Sequence, residues 1–282
     1  MNHIDLHIHS AASDGSDPIP ELLEKIKSAG IQTFSVTDHD TMDGALEMDA
    51  LVSGDLHYIR GIEFSCITPR GKCHILGYGY DPADPVFLDA LEQGRQLRQE
   101  KLQRRIAGLE AQFGITLTEE ESQWLHTQKS PGKPHLGNIL IKRGLAVDLK
   151  TAIATYINPF DRGSDRIDAA TAIRAIAHTG GIPVWAHPLG GEGEKRLTTA
   201  DFYAQLELLT DYGIRGMECH YSRYTAAEAA FLEEQAKSHG LLVSAGSDYH
   251  GSNKPNLYLG KLNTDKTDVD PHRITILQYA KL

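Results

Sequence analysis

Histidines and acidic residues recur in short segments of this 282-residue chain, beginning close to its first residue. Residues 4–10 read IDLHIHS, an apolar run with two histidines two positions apart. Side chains alternate between the two faces of a strand, so Asp5, His7 and His9 share one face. Such an H-x-H pair favours metal binding about as much as it favours a half-buried strand whose polar face holds histidines.

Further candidate ligands follow at or near the predicted strand ends. Imidazole and carboxylate groups without a thiolate suit Zn, Mn or Fe as divalent ions. One tetrahedral ion takes about four donors, so the set predicts two or three ions. A carboxylate between ions about 3.5–4 Å apart is typical of two-metal hydrolysis, and Glu63 is the natural bridge. The candidate metal ligands are His7, His9, Asp14, His39, Glu63, His74, His187, Asp248 and His250.

The elements that must position these residues alternate between strand and helix. Strands are predicted at 4–10, 33–40, 57–66, 73–78, 182–188, 216–221 and 241–250. Helices are predicted at 17–30, with Asp17 as the N-cap, and at 42–52, 168–179, 201–212 and 225–238. This order fits an α/β fold, a (β/α) barrel with fewer than eight units, with an open doubly wound sheet as the alternative. In a parallel barrel the carboxyl ends of the strands meet on one face, where we expect the ligands to converge.

A different pattern interrupts this alternation in the middle of the chain. Residues 89–156 are charged, nearly free of strand formers and read as successive helices. We therefore expect one barrel formed by residues 1–88 and 157–282, with 89–156 as an all-helical insertion or cap.

Composition narrows the classes of partner. The formal net charge of −10 argues against a broad nucleic-acid-binding surface, but it leaves room for a small phosphorylated ligand in a locally positive site. Three cysteines without a C-x-x-C pair, and no apparent secretory signal, predict a cytoplasmic protein with reduced thiols. No apolar run approaches the roughly 20 residues that cross a bilayer, so we expect no membrane association.

Two acidic residues flank one of the candidate ligands. Asp38 and Asp40 lie on either side of His39, and one of them is a candidate catalytic group that orients an imidazole or moves a proton. A cap at the strand end explains them equally well.

Candidate substrate-binding residues lie in two other segments. Lys133 and His135, in GKPHLG, are placed to reach a second phosphate, with a solvated helix start as the alternative. His220 and Arg223, in ECHYSRY, are placed to clamp a phosphate, with packing at the strand end as the alternative.

A row of basic residues repeats at near-helical spacing in the insertion: Arg95, Arg98, Lys101 and Arg105. We interpret this row as a solvated helix face, and guidance of an oligonucleotide is the alternative.

Six ordered motifs carry a resemblance to a known family. The segments DLHIHS, TDHD, GIEFS, HILGY, AHP and GSDYH resemble those of the PHP (polymerase and histidinol phosphatase) superfamily, over residues 1–88 and about 157–260. The resemblance implies a distorted (β/α)7 TIM-like barrel and three metals. It also implies the ligand sets, which are His7, His9, Glu63 and Asp248 for the first ion, Glu63, His74 and His187 for the second, and Asp14, His39 and His250 for the third.

The layout is similar to the stand-alone phosphoesterase branch of that superfamily. This branch implies hydrolysis of nucleoside 3′,5′-bisphosphates (pAp to AMP), and trimming of short RNA from the 5′ end. Histidinol-phosphate phosphatases form a neighbouring branch that often carries His where this chain has Asp14. They are the alternative enzyme.

The residues and the resemblance together predict a metal-dependent phosphoesterase. Three divalent ions bring six positive charges and three carboxylates remove three, so the site attracts a phosphate dianion. A water bridging two ions supplies hydroxide as nucleophile. The expected partner is a small phosphorylated substrate, a nucleotide or a short oligonucleotide, with no obligatory protein partner. A non-catalytic module that senses metal or nucleotide remains a third alternative.

Overall fold

Strands and helices alternate along residues 4–128, 131–160 and 166–279, the part of the chain that the computed structural model describes. The strands are β1 (Ile4–Ile8), β2 (Thr33–Val36), β3 (His57–Tyr58), β4 (Gly61–Thr68), β5 (Gly71–Tyr78), β6 (Ile167–Asp168), β7 (Ile182–Trp185), β8 (Gly216–Tyr221) and β9 (Leu242–Gly246). The α-helices are α1 (Ile19–Ser28), α2 (Asp43–Leu51), α3 (Pro85–Phe113), α4 (Glu119–Thr127), α5 (Lys133–Lys142), α6 (Leu149–Ala152), α7 (Ala169–His178), α8 (Thr199–Asp211) and α9 (Ala226–Ser238).

Side-chain caps determine where several of these helices begin. The Asp84 carboxylate accepts the backbone N–H groups of Val86 and Phe87 at the start of α3, and Gly114 ends that helix at φ 65°. Asp17 was expected to cap α1 in the same way, and this expectation is wrong. Its carboxylate instead accepts hydrogen bonds from Lys25 Nζ and the Tyr249 hydroxyl, each at 2.7 Å.

The strands form two sheets. One is parallel with the order β1-β2-β3, and the other has the order β6-β4-β5-β7-β8-β9. The mixed α/β class is confirmed, but β5 runs antiparallel to both β4 and β7, so the expected parallel arrangement fails there. The predicted strand at 57–66 is two strands, β3 and β4. Strand pairing within the sheets does not by itself establish a TIM-like barrel.

Two narrow contacts join the sheets, and both lie at the level of the candidate ligands. Isolated bridges pair Ile8 with Tyr249 and His39 with Glu63. The backbone N–H of Asp248 donates to the His7 carbonyl at 2.8 Å, and the Asp40 N–H donates to the Glu63 carbonyl at 3.0 Å. The ends of β1, β2 and β9 therefore meet β4 at one height.

Separate apolar clusters support the strands and the central helices. Leu6, Leu76 and Val184 belong to a buried cluster contributed by both sheets. The central helices have a cluster of their own, which includes Leu109 and Leu140. Helix α3 contributes to this cluster and, through its first turns, to the core of the larger sheet. The proposed boundary at residue 88 thus falls inside α3, and the division into barrel and insertion remains a prediction.

None of the described helices combines the length and the apolar composition that crossing a membrane needs.

The contact between β1 and β9 depends on a glycine. A Cβ at Gly246 would overlap the His7 Cβ atom and lie 2.8 Å from the His7 backbone nitrogen. We expect Gly246→Ala to lower the free energy of unfolding by about 1–3 kcal/mol, measured by urea denaturation, because the strands must separate to admit the methyl group. Gly94→Ala in α3 is the control, since its Cβ would be 3.5 Å from the nearest atom and an alanine favours a helix. Equal destabilisation by both substitutions would contradict this account.

Candidate metal centre

The Glu63 carboxylate lies at the centre of the candidate ligands, with five imidazoles around it. One oxygen, Oε1, is 3.0 Å from His74 Nδ1 and 3.2 Å from His187 Nε2. The other oxygen, Oε2, is within 3.3 Å of a ring nitrogen of His7, His9 and His39. Each carboxylate oxygen therefore faces its own group of imidazoles, which is the arrangement of a bridging ligand.

Hydrogen bonds on the outer side of three imidazoles determine their orientation. His7 Nδ1 is 2.9 Å from Glu218 Oε1, His187 Nδ1 is 3.2 Å from Glu194 Oε2, and His250 Nδ1 is 2.8 Å from the Asp248 carbonyl oxygen. Because these partners are acceptors, Nδ1 carries the proton and Nε2 presents a lone pair to the centre. Metal-ligating histidines are commonly held in this way.

Several nitrogen and oxygen atoms at the centre that could bind a metal ion are buried and, among the described residues, have no hydrogen-bond partner. They include His9 Nδ1, Glu63 Oε2, His74 Nε2 and His250 Nε2. Lone pairs and carboxylate oxygens that face one another without a proton between them are stabilised by a cation. The donor set therefore fits divalent ions of the Zn, Mn or Fe class, with no thiolate among the donors.

The three expected ligand sets each come together. Asp248 Oδ1 is 3.6 Å from His7 Nε2 and 3.4 Å from His9 Nε2. His74 Nδ1 and His187 Nε2 are 3.2 Å apart, beside Glu63. The third set is held around Asp14, whose carboxylate oxygens lie 3.2 Å from His250 Nε2 and 3.9 Å from His39 Nε2. All nine candidate ligands thus form one cluster.

The charges of the cluster favour a cation at its centre. Burial lowers the pKa of His187, but the Glu194 and Glu63 carboxylates outweigh burial and raise that pKa to about 10. Burial raises the pKa of Glu63, but His39, His74 and His7 outweigh burial and hold it well below its usual range. A field that favours a proton on His187 and an ionised Glu63 favours a divalent cation beside these two groups.

Three residues of this region have a backbone conformation that L-amino acids rarely adopt. The φ angles of Asp40, His187 and Asp248 are 51°, 29° and 57°. His187 and Asp248 direct their side chains towards the cluster, whereas the Asp40 carboxylate accepts hydrogen bonds from the Ser65 N–H and from Arg98. Strain of this kind collects at functional sites, where surrounding contacts hold it in place.

Two of the ligands do not lie at strand ends as expected. Glu63 is the third residue of β4, and His74 is the fourth residue of the antiparallel strand β5. The β4–β5 hairpin continues beyond the ends of β1 and β2, so the middle of the hairpin is level with those ends.

The two acidic residues beside His39 have partners of their own. Asp38 is buried and accepts hydrogen bonds from the Ser10 N–H, the Ser10 hydroxyl and the Ser13 hydroxyl, at 2.8, 2.6 and 2.5 Å. It thereby holds the loop that carries Asp14. Asp40 accepts the Ser65 N–H at 2.8 Å and pairs with Arg98 Nη2 at 2.8 Å. Both contact sets support a positioning role, and a catalytic role stays a prediction.

A cavity of about 350 Å³ opens above the cluster, lined by Asp14, His39 and His74 on one side. The rest of its lining is rich in basic side chains: Arg98, Lys101, Arg105, Lys133, Arg166 and Lys254.

The interpretation of the basic row as a solvated face is therefore wrong for most of its members. Lys101 and Arg105 are buried, and the Arg98 side chain is 14 % exposed. Arg95 is different, because it pairs with Asp43 at 3.6 Å and lies outside this cavity's described lining.

The four predicted substrate-binding residues divide into two groups. Lys133 lines the cavity and donates to Asn158 Oδ1 at 2.8 Å, whereas the buried His135 ring accepts the Gly132 N–H at 3.0 Å and so caps its own helix. His220 and Arg223 are absent from the described lining of this cavity.

Those two residues contact acidic groups elsewhere. His220 Nε2 is 2.8 Å from Glu233 Oε1 on α9, and Arg223 Nη1 is 2.7 Å from Glu192 Oε2. Neither placement supports a phosphate clamp.

Sequence reasoning did not identify several residues that contact the cluster. Glu218 and Glu194 hold His7 and His187, and Lys254 Nζ and the Tyr221 hydroxyl lie 3.0 and 2.9 Å from Asp248 Oδ2. Glu218 was detectable in principle, as an acidic residue inside an apolar strand. The other positions carry no local signal.

The first part of the chain matches a known protein family. Residues 5–96 match the family model described as PHP domain, and they include His7, Glu63 and His74. This part of the chain is similar to a PHP domain.

Three relatives of this chain have names that refer to phosphoester substrates. A 3′,5′-nucleoside bisphosphate phosphatase from Chromobacterium violaceum is 28% identical over 257 residues, which cover 89% of this chain and 88% of the relative. A phosphoribosyl 1,2-cyclic phosphate 1,2-diphosphodiesterase from Eggerthella lenta is 29% identical, covering 88% and 94%. A 5′-3′ exoribonuclease from Haemophilus influenzae is 29% identical, covering 87% and 89%.

Two solved structures share the fold of this chain over nearly its whole length. A structure described as an amidohydrolase from Chromobacterium violaceum, with bound sulfate and no metal, superposes with a TM-score of 0.83 at 25% identity, covering 98% of this chain and 95% of that one. A second structure, from Bifidobacterium adolescentis, has a TM-score of 0.77 at 23% identity and covers 93% of each chain.

The position of Glu63 gives a direct test of the cluster. We expect Glu63→Gln to lower the metal content of the purified protein, measured by elemental analysis, because two ligand sets share this carboxylate. Phosphoester turnover should fall by about 100-fold or more while the circular dichroism spectrum is retained. Glu47→Gln, an exposed position in α2, is the control. Wild-type metal content and turnover in the Glu63 variant would show that this carboxylate is not the bridge.

Proposed function

We propose that this chain is a metal-dependent phosphoesterase that hydrolyses phosphate monoesters, with nucleoside 3′,5′-bisphosphates as its main substrates. The observation that carries the proposal is the junction of two surfaces in one cavity. The acid–imidazole cluster forms its floor, and basic side chains from α3, α5 and the segment after β9 form its walls. The names of the relatives support the reaction class, and the name of the Chromobacterium violaceum relative supports the substrate.

The nine clustered residues are the proposed ligands, in the three sets given above, for two or three divalent ions. Such ions lower the pKa of a bound water and stabilise the charge that develops on a phosphoryl group. The residues of the chain hold the geometry. Glu63 joins the first two sets, Glu218 and Glu194 orient imidazoles, and Asp38 holds the loop of Asp14.

The strand contacts support a distorted seven-stranded barrel around this site. Strands β1, β2, β4, β5, β7, β8 and β9 follow one another in a ring when the bridges between Ile8 and Tyr249 and between His39 and Glu63 are included. The helices of 89–156 are then a cap over one end of the ring, since α3 and α5 line the cavity.

Recognition of a second phosphate is the proposed task of the basic walls. The Arg98 guanidinium is held by Asp40 and by the Ser65 hydroxyl at 3.0 Å, so it is fixed at the cavity surface. Lys133 lies on the first turn of α5, next to Gly132, where a Cβ would lie 3.3 Å from Arg98 Nη1, and its ammonium group contacts the neutral amide of Asn158. A bisphosphate places one phosphate on the floor and the other between charged groups of this kind.

Short RNA is a second candidate substrate. Relatives of similar identity are named 5′-3′ exoribonuclease and diphosphodiesterase. The first nucleotide of a 5′-phosphorylated RNA carries phosphates on the same two sugar positions as a nucleoside 3′,5′-bisphosphate, the 3′ one as a diester to the next nucleotide. The same floor and walls therefore suit both substrates.

A panel of phosphoesters tests the proposal. With Mn²⁺ present, we expect kcat/KM for adenosine 3′,5′-bisphosphate to exceed that for AMP by about tenfold or more, because a second charged contact contributes about 1–3 kcal/mol. Phosphate release and a chelator control are the measurements, and the panel includes histidinol phosphate and a 5′-phosphorylated oligoribonucleotide. Preference for histidinol phosphate would replace the proposed substrate, and no turnover of any ester would leave a binding module.

Lys133 tests recognition separately from chemistry. We expect Lys133→Ala to raise KM for adenosine 3′,5′-bisphosphate about tenfold, with little change for p-nitrophenyl phosphate, because only the bisphosphate has a second phosphate to contact the wall. Lys142→Ala, at the exposed end of the same helix, is the matched control. His135 stays unchanged because its ring caps α5. Equal losses on both substrates would assign Lys133 to the integrity of the site.

A further inference from the structure

The loop that follows β7 closes on one of the proposed ligands. It begins with His187 and continues through the glycine-rich segment LGGEGE, residues 189–194. Glu194 Oε2 lies 3.2 Å from His187 Nδ1 and accepts the Gly191 N–H at 2.9 Å. A Cβ at Gly191 would lie 3.1–3.3 Å from atoms of the His187 ring, so this glycine permits the close approach. One carboxylate oxygen thus holds the imidazole and the loop together.

This contact acts on the second ligand set. With its Nδ1 proton directed to Glu194, His187 presents the Nε2 lone pair at 3.2 Å from both Glu63 Oε1 and His74 Nδ1. Glu194 is therefore on the far side of the ring from the position where an ion would contact Glu63. Its carboxylate also lies within 4.8 Å of ring nitrogens of His74 and His187, and its hydrogen bond to Nδ1 is the contact that orients this ligand.

The two orienting carboxylates differ in their surroundings. Glu218, which holds His7, is fully buried in β8 and also accepts the His187 backbone N–H at 2.7 Å. Glu194 lies on a loop with its side chain 38 % exposed, and the same loop lines the cavity above the cluster. The first set is thus held from inside the sheet, and the second is held from a surface loop.

We propose that Glu194 is a positioning residue that holds His187 in the ligand geometry of the second ion and couples this ion to the cavity-lining loop. The inference rests on the proposed function, in that the cluster binds divalent ions. It identifies the second ligand set as the one whose metal affinity depends on the contact between Glu194 and His187.

Metal titration tests this assignment without turnover. Metal-free protein is titrated with Mn²⁺ against a competing chelator, and Co²⁺ absorption reports the coordination of the ions. We expect Glu194→Ala to weaken one class of site by about 10–100-fold and to leave the others unchanged. Glu194→Gln keeps an acceptor oxygen for Nδ1, so an affinity between those of the wild type and the alanine variant is expected.

Glu192→Ala is the matched control. Glu192 lies on the same loop, lines the same cavity and carries the same charge, but it pairs with Arg223 and not with a histidine. Equal weakening by Glu192→Ala and Glu194→Ala would show an effect of charge alone and overturn the inference. Unchanged affinities in Glu194→Ala would also overturn it while leaving the proposed function intact. A wild-type protein that binds no divalent ion would overturn both.

Discussion

The fold is organised around one buried carboxylate. The Glu63 side chain is 1 % exposed and is surrounded by imidazole nitrogens within 3.3 Å. An ionised group costs several kcal/mol to bury unless charges or hydrogen bonds compensate it. The compensation comes from strands that are distant in sequence, and their ends must therefore meet at the height of Glu63. The bridge from His39 to Glu63 and the bridge from Ile8 to Tyr249 provide that alignment.

The same requirement explains where the backbone departs from regular geometry. Positive φ angles at His187 and Asp248 direct two side chains inwards shortly after their strands, and the positive φ of Asp40 accompanies a carboxylate that pairs with Arg98 of α3. Each such residue costs about 1–3 kcal/mol unless its surroundings compensate it. Hydrogen bonds from Arg98 to Asp40 and from Tyr221 to Asp248 hold two of these turns. The backbone strain at the site therefore lowers the stability of the fold locally. Burial of the apolar clusters that pack against the sheets offsets this cost.

Charge is distributed in layers although the chain as a whole has a formal net charge of −10. Carboxylates and imidazoles form the floor of the cavity, and basic side chains from helices that are remote in sequence form its walls. Asp40 contacts both layers, because it follows the ligand His39 in the chain and pairs with Arg98 of α3. Under the proposed function, a ligand with separated negative charges meets two positive regions, the basic walls and the ions held by the floor.

The sequence by itself determined which side chains could form the cluster and, with the exceptions of β6 and of the break between β3 and β4, which segments are strands. Period-two alternation and short motifs are local properties of the chain, so they can be recognised in the sequence without knowledge of the fold. The tertiary structure alone decided three further points. It showed that β5 returns antiparallel, that Arg98 and its neighbours face inwards, and that Glu194 and Glu218 hold the imidazoles. A charged helix face reads as solvated unless its partner is known, and the partner of Arg98, Asp40, lies 58 residues away in the chain. Long-range pairing of this kind leaves no periodic trace in either segment.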